Sequence, residues 1–389
     1  MTSITAAPLV FAGTGIPQRP GPWLRQGFEP VTDMAADGHP AGYSADAGLV
    51  EAVNTALILS KPLLLTGRPG TGKTDLAERI AWEFGLGPVL RFESQSLTEA
   101  QELFYRFDLV AQMADAQLAQ RAGGLPREPE HFLTFGALGK AILHAHPEAY
   151  PDLIEWDRRN DAERQVAAHP VVPPGATVEV SHAPRRSVVL IDEIDKAARD
   201  VPNDLLNGIE RMAFRIRELR NRLVAAPAEH QLKPIVLITS NSERDLPDPF
   251  LRRCVYYNIP DPDREKLAQI LRLRVPATLK GKGDAGSATS AQSHYEQLAP
   301  FYQALLSFFA DYSDKRAPHN LAYRPGTSEL IDWANALTRL EAEPSGDLKH
   351  NEGLVKRTLG AVLKHQDDGR VLREQLTRHA GLSFPAAPA

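Results

Sequence analysis

At 389 residues, with a formal net charge of −5 and a sequence pI near 6.2, the chain has length for two domains and lacks the electrostatic footprint of general nucleic-acid binding. Hydrophobic residues make up 43% and charged residues 24%, as in globular proteins, and no apolar run approaches the roughly 18 residues of a membrane span. Cys254 is the single cysteine; that excludes an intrachain disulfide, and with no basic n-region and apolar core near the N-terminus a cytoplasmic location is expected.

Residues 1 to about 40 carry Gly and Pro without apolar periodicity and read as an N-terminal arm, partly disordered or laid along a neighbouring surface. In the stretch 42–62, Leu49, Val50, Val53, Ala56 and Leu57 fall at helical spacing, with Ser44 or Asp46 as N-cap and Pro62 as stop. Leu63, Leu64 and Leu65 then read as a short buried strand. Behind it, Gly67-Arg68-Pro69-Gly70-Thr71-Gly72-Lys73-Thr74 fits G-x-x-x-x-G-K-[ST], and a helix opens. The glycines let the backbone curl so that N–H groups face phosphate oxygens. The helix adds its positive end, Lys73 reaches the β- and γ-phosphates, and the Thr74 hydroxyl ligates Mg²⁺. This is a nucleotide-binding loop. Tyr43, at the first turn of the preceding helix, either touches the nucleotide base or packs as aromatics ordinarily do.

PVLRFESQS (88–96) reads as a second strand and residues 97–118 as a helix. Prolines weaken the signal from about 119 to 185, apart from a segment helical from Gly136. His144 and His146 stand two apart and do not share a helix face, so a metal site is not expected there. SVVLIDEIDKA (187–197) supplies a buried strand, Val188 to Ile191, ending in Asp192 and Glu193. Two acids after a strand are, alone, commonly surface residues. Behind a phosphate loop they read otherwise: Asp192 holds Mg²⁺, directly or through water, and Glu193 polarises the attacking water. In 200–216 a helix is expected from about Pro202, and a loop-rich stretch over 217–233. The strand 234–241 ends in Asn241, whose neutral amide suits it to orienting the lytic water. Arg252 and Arg253 follow a short helix and precede a last strand, Val255 to Ile259. They read as a solvated face, a nucleic-acid patch or, most pointedly, a charge-stabilising finger.

The remainder reads as helical: 261–275 with Pro276 as stop, a flexible linker at 281–293, helices at 295–313, 327–342 and 353–366, and a tail.

This order of motifs resembles the AAA+ ATPases, and more narrowly the MoxR-type AAA+ ATPases. The residues that carry the resemblance are 42–74, 187–197, TSNSERDLPDPFLRRC (239–254) and RPGTSELIDW (324–333). It implies an α/β fold: a P-loop AAA+ three-layer αβα core with a five-stranded parallel sheet, plus a small all-α lid. The expected domains are an arm (1–40), a nucleotide-binding domain (41–260, with an insertion at about 97–180), a lid (261–375) and a tail (376–389). By motif, Gly67, Pro69, Gly70, Thr71, Gly72, Lys73, Thr74 and Asp192 would hold MgATP, with Thr74 and Asp192 as the Mg²⁺ ligands. Glu193 would activate water, Asn241 would be the first sensor, and Arg253, with Arg252, would reach a neighbour's nucleotide. Arg324 is the nearest arginine to a second-sensor position, although Pro325-Gly326 after it departs from the common pattern. The resemblance further implies a homo-oligomeric ring, commonly hexameric, acting as an ATP-hydrolysing, chaperone-like motor on a protein substrate or a von Willebrand factor A domain partner. A nucleotide-dependent switch or scaffold is a second reading. A DNA- or RNA-processing motor is a third, against which the acidic balance argues.

Overall fold

The computed structural model describes residues 10–13, 40–157, 159, 183–198, 200–241, 245–279, 288–314 and 320–384. Two compact units divide the chain. The first takes Met1–Pro30, Ala45–Thr66 and Leu76–Asn258; the second takes Val31–Ser44, Gly67–Asp75 and Ile259–Ala389. The phosphate loop therefore clusters with the C-terminal helices, not with the strand that leads into it.

The first unit is built on a five-stranded sheet in the order β2-β5-β8-β1-β9. Its strands are β1 (Leu63–Thr66), β2 (Leu90–Glu93), β5 (Val188–Asp192), β8 (Ile235–Ser240) and β9 (Val255–Asn258), and every pairing is parallel. All residues of β1 and β8 are buried, as a sheet covered on both faces requires. The register sets Thr66 beside Ser240 and Asn258, and Glu93 beside Asp192. The polar residues ending these strands thus share the sheet's C-terminal edge. On either side of β1 lie α1 (Ala47–Leu59), capped by Asp46, whose carboxylate accepts from Leu49 N at 2.8 Å, and α2 (Lys73–Glu83).

Two short hairpins correct the expected helices. Residues 97–118 are not one helix. A 3₁₀ turn (Ala100–Leu103) leads into β3 (Tyr105–Phe107), which pairs antiparallel with β4 (Leu133–Phe135); α3 (Leu109–Ala122) starts only after Asp108, whose side chain accepts from Ala111 N. The helix expected over 200–216 is α6 (Val201–Arg211), which ends at Met212 in the left-handed region. Residues beyond it form β6 (Ala213–Ile216), paired with β7 (Arg222–Ala225) inside the stretch expected to be loop-rich. Alternation decides this: Phe214 and Ile216 are buried while Arg215 is exposed, a period of two that a helix cannot satisfy.

Of the N-terminal arm, residues 10–13 and Pro40 are described and the rest lies outside the described residues. Phe11 is fully buried, its ring edge-on to Phe84 at 6.4 Å. Its backbone trades hydrogen bonds with the Asn54 amide, 2.8 and 2.9 Å. The N–H groups of Ala12 and Gly13 donate to the buried Glu83 carboxylate, which also pairs with the buried Arg79 at 3.3 Å.

His144, on α4 (Ala137–Ala145), sits in a buried charge cluster. Its Nε2 is 3.4 Å from one carboxylate oxygen of Asp157, on α5 (residues 151–157), whose other oxygen is 3.4 Å from Lys140, and the Arg185 guanidinium donates to its Nδ1 at 2.6 Å. Acceptance at Nδ1 requires the neutral ring. Burial holds the His144 pKa below 6.5, with the Asp157 hydrogen bond opposing and Arg185 assisting. The unfolded chain therefore binds a proton that the native chain refuses, so stability falls as pH drops below about 6.5. Melting curves between pH 7.5 and 5.5 are expected to fall less steeply for His144→Gln than for the parent; parallel curves would remove His144 from the acid response.

In the second unit the helices run longer than expected. Pro276 does not stop α8 (Arg264–Leu279). Part of the 281–293 linker, residues 281–287, lies outside the described residues, and the chain is helical again from Ala288 in α9 (Ala288–Ser313). After α10 (Thr327–Arg339) and α11 (Glu352–Thr358) comes α12 (Asp368–Ala380), inside which the expected tail boundary at 376 falls. Leu372 and Leu376 of α12 are fully buried in the core formed with Trp333, Phe301 and Leu305, so the segment is structural. No helix among the described residues is long and apolar enough to cross a membrane.

Candidate nucleotide site

In the first unit, the edge formed by the strand ends carries a tight polar group. Thr239, fully buried in β8, donates its hydroxyl hydrogen to the Asp192 carboxylate, and the same oxygen accepts from Glu193 N at 2.9 Å. Glu193 leaves β5 in the left-handed region, φ 53° and ψ 51°, a conformation that costs a non-glycine residue of order 1 kcal/mol. The bend turns its carboxylate toward Asn241, whose Nδ2 donates to Oε1 at 3.0 Å, while Lys196 binds Oε2. Asn241 is itself steadied by its backbone N–H on Asp195, 3.3 Å. Asp192, Glu193 and Asn241, each singled out in the sequence, therefore meet. Thr239 and Lys196 were missed. Lys196 stands at i+3 from Glu193, a spacing that brings side chains together; Thr239 carried only the weak signal of a hydroxyl in an apolar strand. Thr239→Val keeps the shape and removes the hydroxyl, leaving the Glu193 N–H without an acceptor. A loss of about 1–3 kcal/mol is expected in urea unfolding.

In the second unit, the phosphate loop has the backbone its glycines allow: φ is 141° at Gly67, 76° at Gly70 and 83° at Gly72. Two of these glycines stand close against other groups. A Cβ at Gly70 would stand 2.3 Å from Ser328 Oγ, and one at Gly72 2.9 Å from the Tyr43 ring. Lys73 is 7% exposed and donates to the carbonyls of Gly67 (2.7 Å) and Arg68 (2.9 Å). Thr71 closes the turn by donating to Arg68 O at 2.8 Å. Thr74 follows as the second residue of α2. Tyr43 lies with its ring over the Gly72 backbone.

A cavity of about 380 Å³ opens beside the loop, lined by Arg68, Pro69 and Thr71, with Asp263, Phe309 and Gly326. The lid phrase forms one wall. The Arg68 guanidinium donates to Arg324 O at 2.8 Å and lies 3.6 Å from Asp261. The Arg324 guanidinium instead donates to Asp314 O at 2.7 Å, at the end of α9. In the first unit, Arg253 pairs with Glu210 at 3.3 Å, and Arg252 is exposed on the turn after the short helix α7 (Asp248–Leu251).

The donor set fits a nucleotide with Mg²⁺. A loop with three left-handed glycines, a buried ammonium and a helix start suits phosphate oxygens. Among the described residues there is no cluster of three or more His, Cys, Asp or Glu able to hold a metal alone. Mg²⁺ does not need one, because it is commonly held by one or two protein oxygens plus phosphates and water.

Residues 62–254 match the family described as AAA domain (dynein-related subfamily). Among solved structures, a point variant of RuvB from Thermotoga maritima is similar over 85% of this chain and 74% of its own, at 14% identity and a TM-score of 0.36. No curated protein matches the chain. The five-stranded parallel sheet, the phosphate loop and the family match over 62–254 together give an α/β P-loop fold of the AAA+ type.

Proposed function

We propose that this protein is a Mg²⁺-dependent ATPase of MoxR-like type, working as a homo-oligomeric ring that remodels a protein partner. The observation that carries the reading is the held carboxylate of Glu193, bent out of β5 and grasped by Asn241 and Lys196. In this reading Gly67 to Thr74 would cradle the phosphates, Lys73 would give its ammonium to phosphate oxygens in place of loop carbonyls, and Thr74 and Asp192 would hold Mg²⁺, which would neutralise phosphate charge. Glu193 accepts the proton of the attacking water, and Asn241, keeping its place, orients that water. Arg253, with Arg252, serves the nucleotide of a neighbouring copy, exchanging Glu210 for phosphate charge. Tyr43 covers the loop and flanks the base, and Arg324 acts from the lid after releasing Asp314.

The insertion supports a protein partner. α3 has no buried residue and exposes Leu109, Val110, Met113 and Leu118, an apolar surface of the kind that binding uses. A von Willebrand factor A domain is the partner class the family resemblance favours. A cytoplasmic home suits Cys254, whose thiol burial pushes up to about 12, away from redox chemistry. Steady-state ATP turnover with size measurement in the presence and absence of MgATP tests the reading. Turnover with a nucleotide-stabilised ring is expected. A chain that binds ATP but neither turns it over nor assembles would instead be a switch, and stimulation by DNA or RNA would indicate a nucleic-acid motor.

A further inference from the structure

At the opposite, N-terminal end of the sheet lies a small cavity that the nucleotide chemistry does not use. It is lined by Ser60, Lys61 and Arg186 on an apolar wall that includes Leu57, Ile80 and Met212, and holds about 20 Å³. That is room for roughly one water or one ion of similar size. Arg186 is 6% exposed. Its Nε donates to Lys233 O at 2.7 Å; among the described residues its two terminal nitrogens have no hydrogen-bond acceptor and no carboxylate pairs with it. A buried guanidinium without a counter-charge is costly, because fixed charges leave water only when compensated. The same cavity holds a second orphan. Ser60, at the end of α1 with φ 50°, has a fully buried Oγ with no hydrogen-bond partner.

We propose that this cavity is a halide site, occupied by chloride held between the Arg186 guanidinium and the Ser60 hydroxyl. A single water would satisfy the hydroxyl and leave the charge uncompensated. Chloride fits on all three grounds: size, a single negative charge, and acceptance from N–H and O–H donors against apolar walls. Burial alone lowers the Arg186 pKa to about 10, in line with a cation lacking its partner.

The test uses the full chain. Melting temperature is measured in sodium chloride, sodium bromide and sodium gluconate at fixed ionic strength, and crystals grown in bromide are examined for anomalous scattering. Chloride and bromide are expected to raise the melting temperature over gluconate and to saturate, since a ligand that binds only the native state stabilises by mass action. Bromine density is expected within hydrogen-bond reach of Arg186 and Ser60. Arg186→Met should abolish the halide response, and Ser60→Ala should weaken it if the arginine variant does not fold. Equal melting in all three salts, an undiminished response in both variants, or a water or protein carboxylate in the cavity in place of bromide would overturn the assignment.

Discussion

Glu193→Gln is expected to lower ATP turnover by about 10²–10⁴-fold, the usual contribution of a positioned general base, while ATP affinity stays near that of the parent. Glutamine preserves the shape and still offers Oε1 to Asn241 Nδ2. It cannot take a proton, and it no longer attracts Lys196. The left-handed backbone at Glu193 is held by Thr239 through the main-chain N–H, a bond that the substitution does not touch. Loss of activity would therefore report chemistry, not a displaced loop. Single-turnover hydrolysis and equilibrium binding of ATP, measured on the same preparation, separate the two. A variant that hydrolyses at the parental rate would show that Glu193 is not the base. A companion change, Lys73→Ala, removes an ammonium that now rests on two loop carbonyls and is expected to reduce binding itself.

The parts of the fold that sequence made legible are those where local chemistry and tertiary packing ask for the same thing. Gly67, Gly70 and Gly72 announce positive φ because the loop must curl, and the backbone takes it at all three. The apolar runs of β5 and β8 announce strands buried on both faces. Asp192, Glu193 and Asn241 were visible because parallel strands deliver their last residues to one edge. Where pairing at a distance overrides local preference, legibility failed. Tyr105 and Phe107 stand in a run of good helix formers, yet β4, many residues later, draws them into a hairpin. Phe214 and Ile216 follow a true helix without a breaker other than Met212. Pro276 reads as a stop, although α8 continues through it. The docking of Phe11 and Ala12 depends on Asn54 and Glu83, 43 and 71 residues away respectively, and no periodicity in the arm signals it.

That docking yields the second large expected effect. Glu83→Ala should cost about 3–5 kcal/mol, the range for removing one partner of a buried ion pair. Glu83 and Arg79 both have fully buried side chains. The carboxylate also accepts from Ala12 N at 2.6 Å and from Gly13 N at 3.2 Å. Truncation takes the Glu83 carboxylate from the buried Arg79 and removes the acceptor shared by both backbone groups. With these bonds gone, Phe11 keeps the Asn54 pair and its edge contact with Phe84, and the segment's hold against its chain entropy weakens. The urea midpoint should drop, and cleavage near residues 10–13 by a nonspecific protease should speed up well below the midpoint. Phe11→Ala provides the contrast, because it removes the aromatic anchor and leaves the ion pair whole. It should release the same segment while costing less charge-related stability at low salt. A midpoint unchanged in Glu83→Ala would mean that Arg79 and the arm are held by other groups.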